Sequence, residues 1–363
     1  MATDTSTIRT SRVQVGDREG LVSFFKGVMD WPGFEHAGSI ADYWSWKYIR
    51  KPGPEPIGYA AWSDGAAVSH ASIVASQLLV GGEMVAAGQL GDLYTHPDHR
   101  GNGLAEDMLA HVERQAAADG IEMMFAFPSE VGGLLISKRG YRELPIRFSH
   151  YHLITDPSNF FDQVSLGALK KVAYGAMMAV KSPGRRSTPG MVSEVDEFPE
   201  DVDNMTERFE ASFDITHRHD RRYLQWRYAD PDGGRFRTLL ATVDGRTAGV
   251  AVMRPYVIDG ILYMDLVDLM ADPVHPQAAQ SLVAEAIKMA ADEGAAEVQS
   301  WIPSDHPLVP FLIRAGFIKR TPLANERRLR MFCHPGDAGG PASRVLQRPS
   351  LKAHIMLGDT DWI

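Results

Sequence analysis

A single cysteine, Cys333, stands in 363 residues, so no disulfide can form within the chain, and such usage fits a reducing compartment. Positive charge is in the minority. The 37 Lys and Arg residues are outnumbered by 46 Asp and Glu, a formal charge of -9, which argues against a broad footprint for nucleic-acid phosphates. No apolar run approaches the roughly 18 residues that a membrane span needs. The opening stretch MATDTSTIRTSRVQVGD lacks the apolar core of a signal peptide. The dipeptide Gly-Lys is missing throughout, which excludes a phosphate-binding P-loop. These absences predict a cytoplasmic protein without a nucleic-acid partner or a membrane span, and they leave homo-oligomer formation open. The 44% of hydrophobic residues suffice for two cores, as the length suggests at roughly 100 to 200 residues per domain.

An internal repeat organises the chain. Tyr43-Trp44-Ser45-Trp46-Lys47-Tyr48 returns as Tyr223-Leu224-Gln225-Trp226-Arg227-Tyr228, both of the form Y-x-x-W-[KR]-Y. Gly91-Asp92-Leu93 and Pro97 return as Val267-Asp268-Leu269 and Pro273, and Lys138-Arg139-Gly140-Tyr141 as Arg314-Ala315-Gly316-Phe317. Three landmarks in one order argue for a duplicated domain. The expected division is 1–155 for the first copy, 156–190 for a bridging helix and basic Pro/Gly linker, 191–335 for the second copy and 336–363 for a tail. In the bridge, Phe161, Leu166, Leu169, Val172 and Ala176 have helical spacing. Lys170 and Lys171 add the charge of a membrane-surface helix, although packing on one domain is the expected use of that apolar stripe.

Within the first copy the periodicity predicts a strand over 9–15 and helices over 18–29 and 41–49. Strands follow over 57–62, 66–79 and 84–94, joined by Ser63-Asp64-Gly65 and Gly81-Gly82 turns and pairing antiparallel. A central helix covers 104–118 with Leu104, Met108, Val112 and Ala116 on one face, ended by Gly120. A buried strand over 121–127 and a short helix over 132–139 close the copy. This order is a mixed α/β layer.

The chemistry concentrates where the third strand of that run meets the central helix, in LGDLYTHPDHRGNGLAEDM. A helix amino terminus offers unpaired N–H groups and partial positive charge, a ready cradle for a phosphate ester. Gly101 and Gly103 let backbone approach a ligand closely, and Arg100 adds charge. A dinucleotide fingerprint fails, because Glu106 occupies the third glycine position. What Arg100-Gly101-Asn102-Gly103-Leu104-Ala105 matches is R/Q-x-x-G-x-G/A. With the preceding strand and His96-Pro97, it resembles the coenzyme A pyrophosphate loop of the GNAT superfamily of N-acetyltransferases, over most of residues 9–153.

That resemblance implies two tandem GNAT-like domains, each a mostly antiparallel twisted sheet flanked by helices. It implies acetyl-CoA as acyl donor, pantetheine along Leu93, Tyr94 and Thr95, and pyrophosphate on the N–H groups of Arg100, Gly101, Asn102, Gly103, Leu104 and Ala105. The acceptor would be a primary amine of a small molecule or peptide. The second copy reads Asp272-Pro273-Val274-His275-Pro276-Gln277 at the equivalent place, with neither arginine nor glycines, and is expected to be degenerate. Many relatives protonate the departing thiolate with a tyrosine at the position of Ile136. Its replacement leaves Tyr94, Ser137 or water for that role, or a non-catalytic acyl-CoA-binding or regulatory protein. Strand periodicity puts Asp92 and Tyr94 on one face as a base and acid pair. The recurrence of the aromatic helix and of Asp268 argues for packing at those positions. Glu130, at the mouth of the expected cleft, reads as a solvated acid, and Cys333-His334 lacks the context of a nucleophile. His217-x-His219 lacks a third ligand at a usual spacing, so no metal is expected.

Overall fold

Strand alternation and helical spacing translate directly into the first unit of the fold. The protein is described by a computed structural model that places residues 8–28, 38–158, 167–321 and 328–361. The chain divides into two compact units, one of Met1–Pro145 with Arg330–Leu351 and one of Ile146–Leu329 with Lys352–Ile363. The first opens with β1 (Arg9–Arg12), α1 (Arg18–Val28) and α2 (Ile40–Tyr48), the last capped by the Ser39 side chain, which accepts from the Asp42 N–H. It continues with β2 (Ile57–Ser63), β3 (Ala66–Val80), β4 (Glu83–Thr95), α3 (Leu104–Ala118), β5 (Met123–Ala126), α4 (Glu130–Lys138) and β6 (Arg142–Glu143).

Strands β1 to β4 pair antiparallel in sequence order, and β5 lies parallel to β4. The α3 face of Leu104, Met108, Val112 and Ala116 is buried, together with Leu109, against Ile57, Ala71, Ile73 and Leu90 of the sheet. Met29, predicted as the last residue of the first helix, lies outside the described residues.

The second unit repeats this plan. It contains β7 (Phe148–Ile154), α5 (Gly167–Lys181), β8 (Val192–Val195), α6 (Val202–Glu210), β9 (Ile215–His217), α7 (Arg221–Leu224), β10 (Arg237–Val243), β11 (Arg246–Ile258) and β12 (Ile261–Ala271). Then come α8 (Pro276–Asp292), β13 (Glu297–Pro303), α9 (Val309–Ala315) and β14 (Ile318–Arg320). Its sheet runs β8-β10-β11-β12-β13-β7-β14, and the first unit's runs β1-β2-β3-β4-β5-β15-β6, where β15 is Phe332–Cys333. In both, the fourth and fifth strands are the parallel pair. The duplication is thus a duplication of fold.

The boundaries are drawn differently from the division expected at 155 and 335. β7, which the sequence reading gives to the first copy, lies between β13 and β14 in the second sheet. β15, which follows the second copy, lies between β5 and β6 in the first. Each copy therefore gives its last strand to the other's sheet. Cys333 is buried on β15, where burial pushes its thiol well up, the opposite of an activated nucleophile.

The bridging helix also differs from its expected orientation. In α5, Leu169 and Val172 are exposed, and Tyr174 is the buried side chain, donating its hydroxyl to the Ile154 carbonyl at 2.6 Å. Phe161 and Leu166 lie outside the described residues. No described helix is long and apolar enough to cross a membrane.

Candidate functional site

β4 carries an irregularity that strand periodicity alone does not reveal. Gly91 sits opposite Ser72 and Tyr94 opposite His70, so two residues of β4, Asp92 and Leu93, face one of β3. This is a β-bulge, and Asp92 adopts φ 47° there. Pairing between β4 and β5 ends at Leu90 with Ala126, while β4 runs on to Thr95. Beyond the bulge, that side of β4 carries backbone groups without a β5 partner.

The bulge also separates the two candidates expected to share a face, because it breaks the two-residue alternation. The Asp92 carboxylate lies 2.8 Å from Lys47 Nζ and accepts from the Tyr48 hydroxyl. Burial alone would raise its pKa, but Lys47 and Tyr48 outweigh that and hold it below the usual aspartate value. Burial and the Asp92 charge push the Tyr48 phenol well up. A carboxylate so engaged is a poor proton acceptor. Tyr94 has other partners. Its hydroxyl oxygen accepts from Arg100 Nη2 at 2.8 Å, and the guanidinium lies 5.3 Å from the ring centre. The phenol proton is left available to donate. Arg100 Nε also donates to the Thr95 carbonyl, and the Thr95 hydroxyl pairs with that of Ser69. Leu93 packs part-buried on the core.

At the start of α3, Gly101 and Gly103 have φ 81° and 76°, a region costly for residues with a Cβ, and a Cβ on either would meet nothing within 4 Å. The first N–H taken by a backbone carbonyl belongs to Asp107, which donates to Gly103. Among the described residues, those of Gly101 to Glu106 have no backbone acceptor. Asn102 Nδ2 steadies the turn by donating to the His99 carbonyl. Ile136, at the position of the usual tyrosine acid, is buried in the core, and among the alternatives the Ser137 hydroxyl is donated to the Gly133 carbonyl at 2.7 Å. Glu130 is exposed at the first turn of α4.

The second unit answers each feature differently. At the start of α8, the Asp272 carboxylate accepts from the Val274 N–H and its carbonyl from the His275 N–H, as His96 does for Asp98 and His99 in the first unit; what differs is that α8 then opens directly at Pro276 with no glycine turn. β12 and β13 pair only over Tyr263–Asp265 and Glu297–Gln299. Beyond that point, the tail segment with β16 (Ala353–His354) and the turn Leu357–Asp359 packs against both strands. The Gly358 carbonyl accepts from Arg227 Nε at 2.8 Å.

Asp268 keeps the tyrosine partner of the repeat, accepting from the Tyr228 hydroxyl at 2.8 Å. The recurring Y-x-x-W-[KR]-Y and Asp landmarks therefore build the same Tyr–Asp contact in both units, a packing device. Tyr43, Trp44 and Trp46 are buried in keeping with it.

The third group that the His217-x-His219 spacing lacks comes from the tail. Ligand-type atoms of His219, His354 and Asp359 lie within 4.8 Å of one another. Hydrogen bonds and ion pairs order the imidazoles of this cluster. Leu308 N–H donates to His306 Nδ1, which puts the His306 proton on Nε2, facing His354 Nδ1 at 3.1 Å. The His354 proton then lies on Nε2, 3.3 Å from Asp268 Oδ1. His219 reaches Asp359 at 2.9 Å and Glu210 at 3.3 Å. Burial would lower its pKa, but these carboxylates raise it well above the ordinary histidine value.

Residues 19–143 match the model of the GNAT acetyltransferase domain. Residues 19–143 thus carry a GNAT acetyltransferase domain, and the chain as a whole has the fold of tandem GNAT structures. Among solved structures it resembles a probable N-acyltransferase from Enterococcus faecalis V583, with a TM-score of 0.63 at 11% identity over 90% of this chain and 72% of that one. It also resembles N-myristoyltransferase from Saccharomyces cerevisiae with bound myristoyl-CoA, with a TM-score of 0.63 at 13% identity over 93% and 81%. A tandem GNAT protein of the clavulanic acid biosynthesis pathway has a TM-score of 0.56 at 14% identity over 90% and 98%. None of the curated proteins compared matches this chain. The fold is the GNAT acyltransferase fold in both units, and the family match lies within the first.

Proposed function

We propose that this tandem GNAT protein is an N-acyltransferase whose first unit transfers an acetyl group from acetyl-CoA to a primary amine. The observation that carries the reading is the contrast between the units. In the first, the turn at Gly101 and Gly103 presents free N–H groups and β4 leaves β5 beyond the bulge. In the second, α8 opens at Pro276 with no glycine turn before it, and the tail packs on the separated strands.

In the first unit, backbone N–H groups of Gly101 to Ala105 bind pyrophosphate oxygens at the helix terminus, the Arg100 N–H being taken by the Pro97 carbonyl. The exposed β4 backbone at Leu93, Tyr94 and Thr95 hydrogen-bonds the pantetheine and polarises the thioester carbonyl. The neutral amine nitrogen attacks that carbon and gives up one proton to a base or solvent as the C–N bond forms, and the C–S bond breaks with its electron pair on sulfur. Tyr94, whose oxygen already accepts from Arg100, donates its phenol proton to the sulfur. Asp92 holds α2 against β4 through Lys47 and Tyr48, which makes it a positioning residue.

The test is release of free coenzyme A thiol from acetyl-CoA across a panel of amines. Tyr94→Phe is expected to lower kcat by roughly 10²-fold, the lower range for loss of a general acid, with a far smaller change in acetyl-CoA Kd. An unchanged kcat in Tyr94→Phe across the pH range would remove it from the reaction. Acetyl-CoA binding without thiol release on any amine would favour the binding-protein alternative.

A further inference from the structure

The first unit contains a pocket of about 420 Å³, within the range of small-molecule sites, that the donor site does not use. Its floor is formed by Tyr48 and His70, and its walls include Val13, Trp44 and Pro56 with Arg12, Lys51 and Glu55. Both floor residues touch Asp92 at the β4 bulge: Tyr48 bonds its carboxylate, and His70 Nδ1 lies 2.9 Å from its backbone carbonyl. The pocket thus ends one strand from the backbone that would hold the thioester.

The tautomer of His70 follows from that contact. A carbonyl can only accept, so Nδ1 carries the proton and Nε2 presents a lone pair. The Nε2 edge faces Gly58, another lining residue, where a Cβ would come within 3.6 Å. The Phe25 ring packs edge-on against the imidazole at 5.0 Å and fixes its plane. A second comparison within the molecule sharpens the point. The His70–Tyr94 pair across β3 and β4 corresponds to Val250–Met270 across β11 and β12. Lys47, Tyr48 and Asp92, by contrast, recur as Arg227, Tyr228 and Asp268. What the two units share is packing. His70 and Tyr94 are paired in the unit that carries the open turn and replaced in the other.

We infer that this pocket is the acceptor site and that His70 Nε2 is the general base that takes the proton from the attacking amine. The inference rests on the acyltransferase reading and deepens it. The neutral amine loses one proton to Nε2 as the C–N bond forms, sulfur leaves with the C–S electron pair and takes a proton from Tyr94, and His70 and Tyr94 re-equilibrate through solvent. The walls select the acceptor. An apolar body fits Val13, Trp44 and Pro56, and an anionic group fits the Arg12 guanidinium, with added positive charge from Lys51, whose ammonium donates to the Ala75 carbonyl, so the substrate class is a primary amine that also bears a carboxylate, as in an apolar amino acid. The groups around His70 are Asp92 and Tyr94 on β4, Lys47 and Tyr48 on α2, Phe25 on α1, and Arg12, Lys51 and Glu55 in the pocket. Burial lowers the His70 pKa, with the Asp92 carbonyl opposing in part, so the imidazole is neutral and able to accept at neutral pH.

Steady-state turnover of acetyl-CoA with an aromatic amino acid and with its decarboxylated amine tests this in the full chain. His70→Asn keeps a donor near the position of Nδ1 and removes Nε2. It should lower kcat roughly 10²-fold, abolish the wild-type acidic limb, which lies below the ordinary histidine range, and leave acetyl-CoA Kd within about twofold. Arg12→Gln, at the rim, should reduce the preference for the amino acid over the amine about tenfold. If His70→Asn does not fold, the wild-type limb and the Arg12→Gln ratio decide. Turnover by wild type with a kcat and acidic limb retained in His70→Asn overturns the base, and an unchanged ratio in Arg12→Gln overturns the acceptor class. No thiol release by wild type with any amine overturns the acyltransferase reading itself, which separates the two failures.

Discussion

Gly103→Val is expected to abolish acetyl-CoA binding, with Kd raised at least about 100-fold, while the protein stays folded. The backbone at Gly103 sits at φ 76°, where a β-branched residue is strongly disfavoured. A Cβ there would meet no protein atom within 4 Å, so the cost falls on the turn conformation. Moving the turn takes away several aligned N–H donors together, each of which bonds a charged oxygen and contributes about 1.5–3 kcal/mol. Loss of two such bonds already accounts for the hundredfold effect. The core below α3, with Met108, Leu109 and Val112 fully buried, does not depend on the turn, and the second unit has its own core. Calorimetric titration together with near-UV circular dichroism separates the outcomes. Retained affinity in a folded variant would show that phosphate recognition does not use this turn.

His219→Ala is expected to cost about 3–5 kcal/mol of stability, the range for removing one member of a buried ion pair, and to act on the second unit. His219 is 0% exposed and is the cation between Asp359 and Glu210. Without it Asp359 loses its buried cationic partner, Glu210 is left to Arg218, and the tail loses a tie additional to the Arg227–Gly358 bond. The pH dependence follows in sign. The folded-state pKa of His219 is raised above 6.5, so its contribution is fully present below about pH 6.5 and disappears as pH climbs through the folded value. Asp359 is shifted the other way, held far below its usual value by His219 against the opposing effect of burial, and its contribution is lost as pH falls below about 4. Urea unfolding of wild type should therefore show stability falling on the alkaline side, a fall much reduced in His219→Ala. Equal alkaline slopes would mean that His219 is neutral in the folded protein.

Local features of the fold were readable from sequence, while its long-range exchanges were not. Helix α3 runs over the predicted residues 104–118, because apolar spacing and the flanking glycines at 103 and 120 both mark its ends. The repeat was readable because Tyr48, Asp92 and their twins make the same buried contact twice. The exchange of β7 and β15 was not, since two last strands of similar pattern satisfy either sheet, and short-range periodicity says nothing of which sheet a strand joins. The β4 bulge escaped for a related reason. It adds one residue to a register that only the partner strand reveals, and it removed the expected Asp92–Tyr94 partnership. His70 lies in a strand of alanines and serines without a motif. Its signal appears only when the second copy is laid over the first in register, where Val250 and Met270 replace His70 and Tyr94. The network at His219 needed the tail, 135 residues further on at His354, and no spacing rule connects the two.

The open turn of the first unit, absent from the second, is proposed to give the chain a single acyl-CoA site. Isothermal titration of the full chain with acetyl-CoA tests it most directly. One site per chain is expected, lost in Gly103→Val. Two sites per chain, or binding that survives in Gly103→Val, would contradict it.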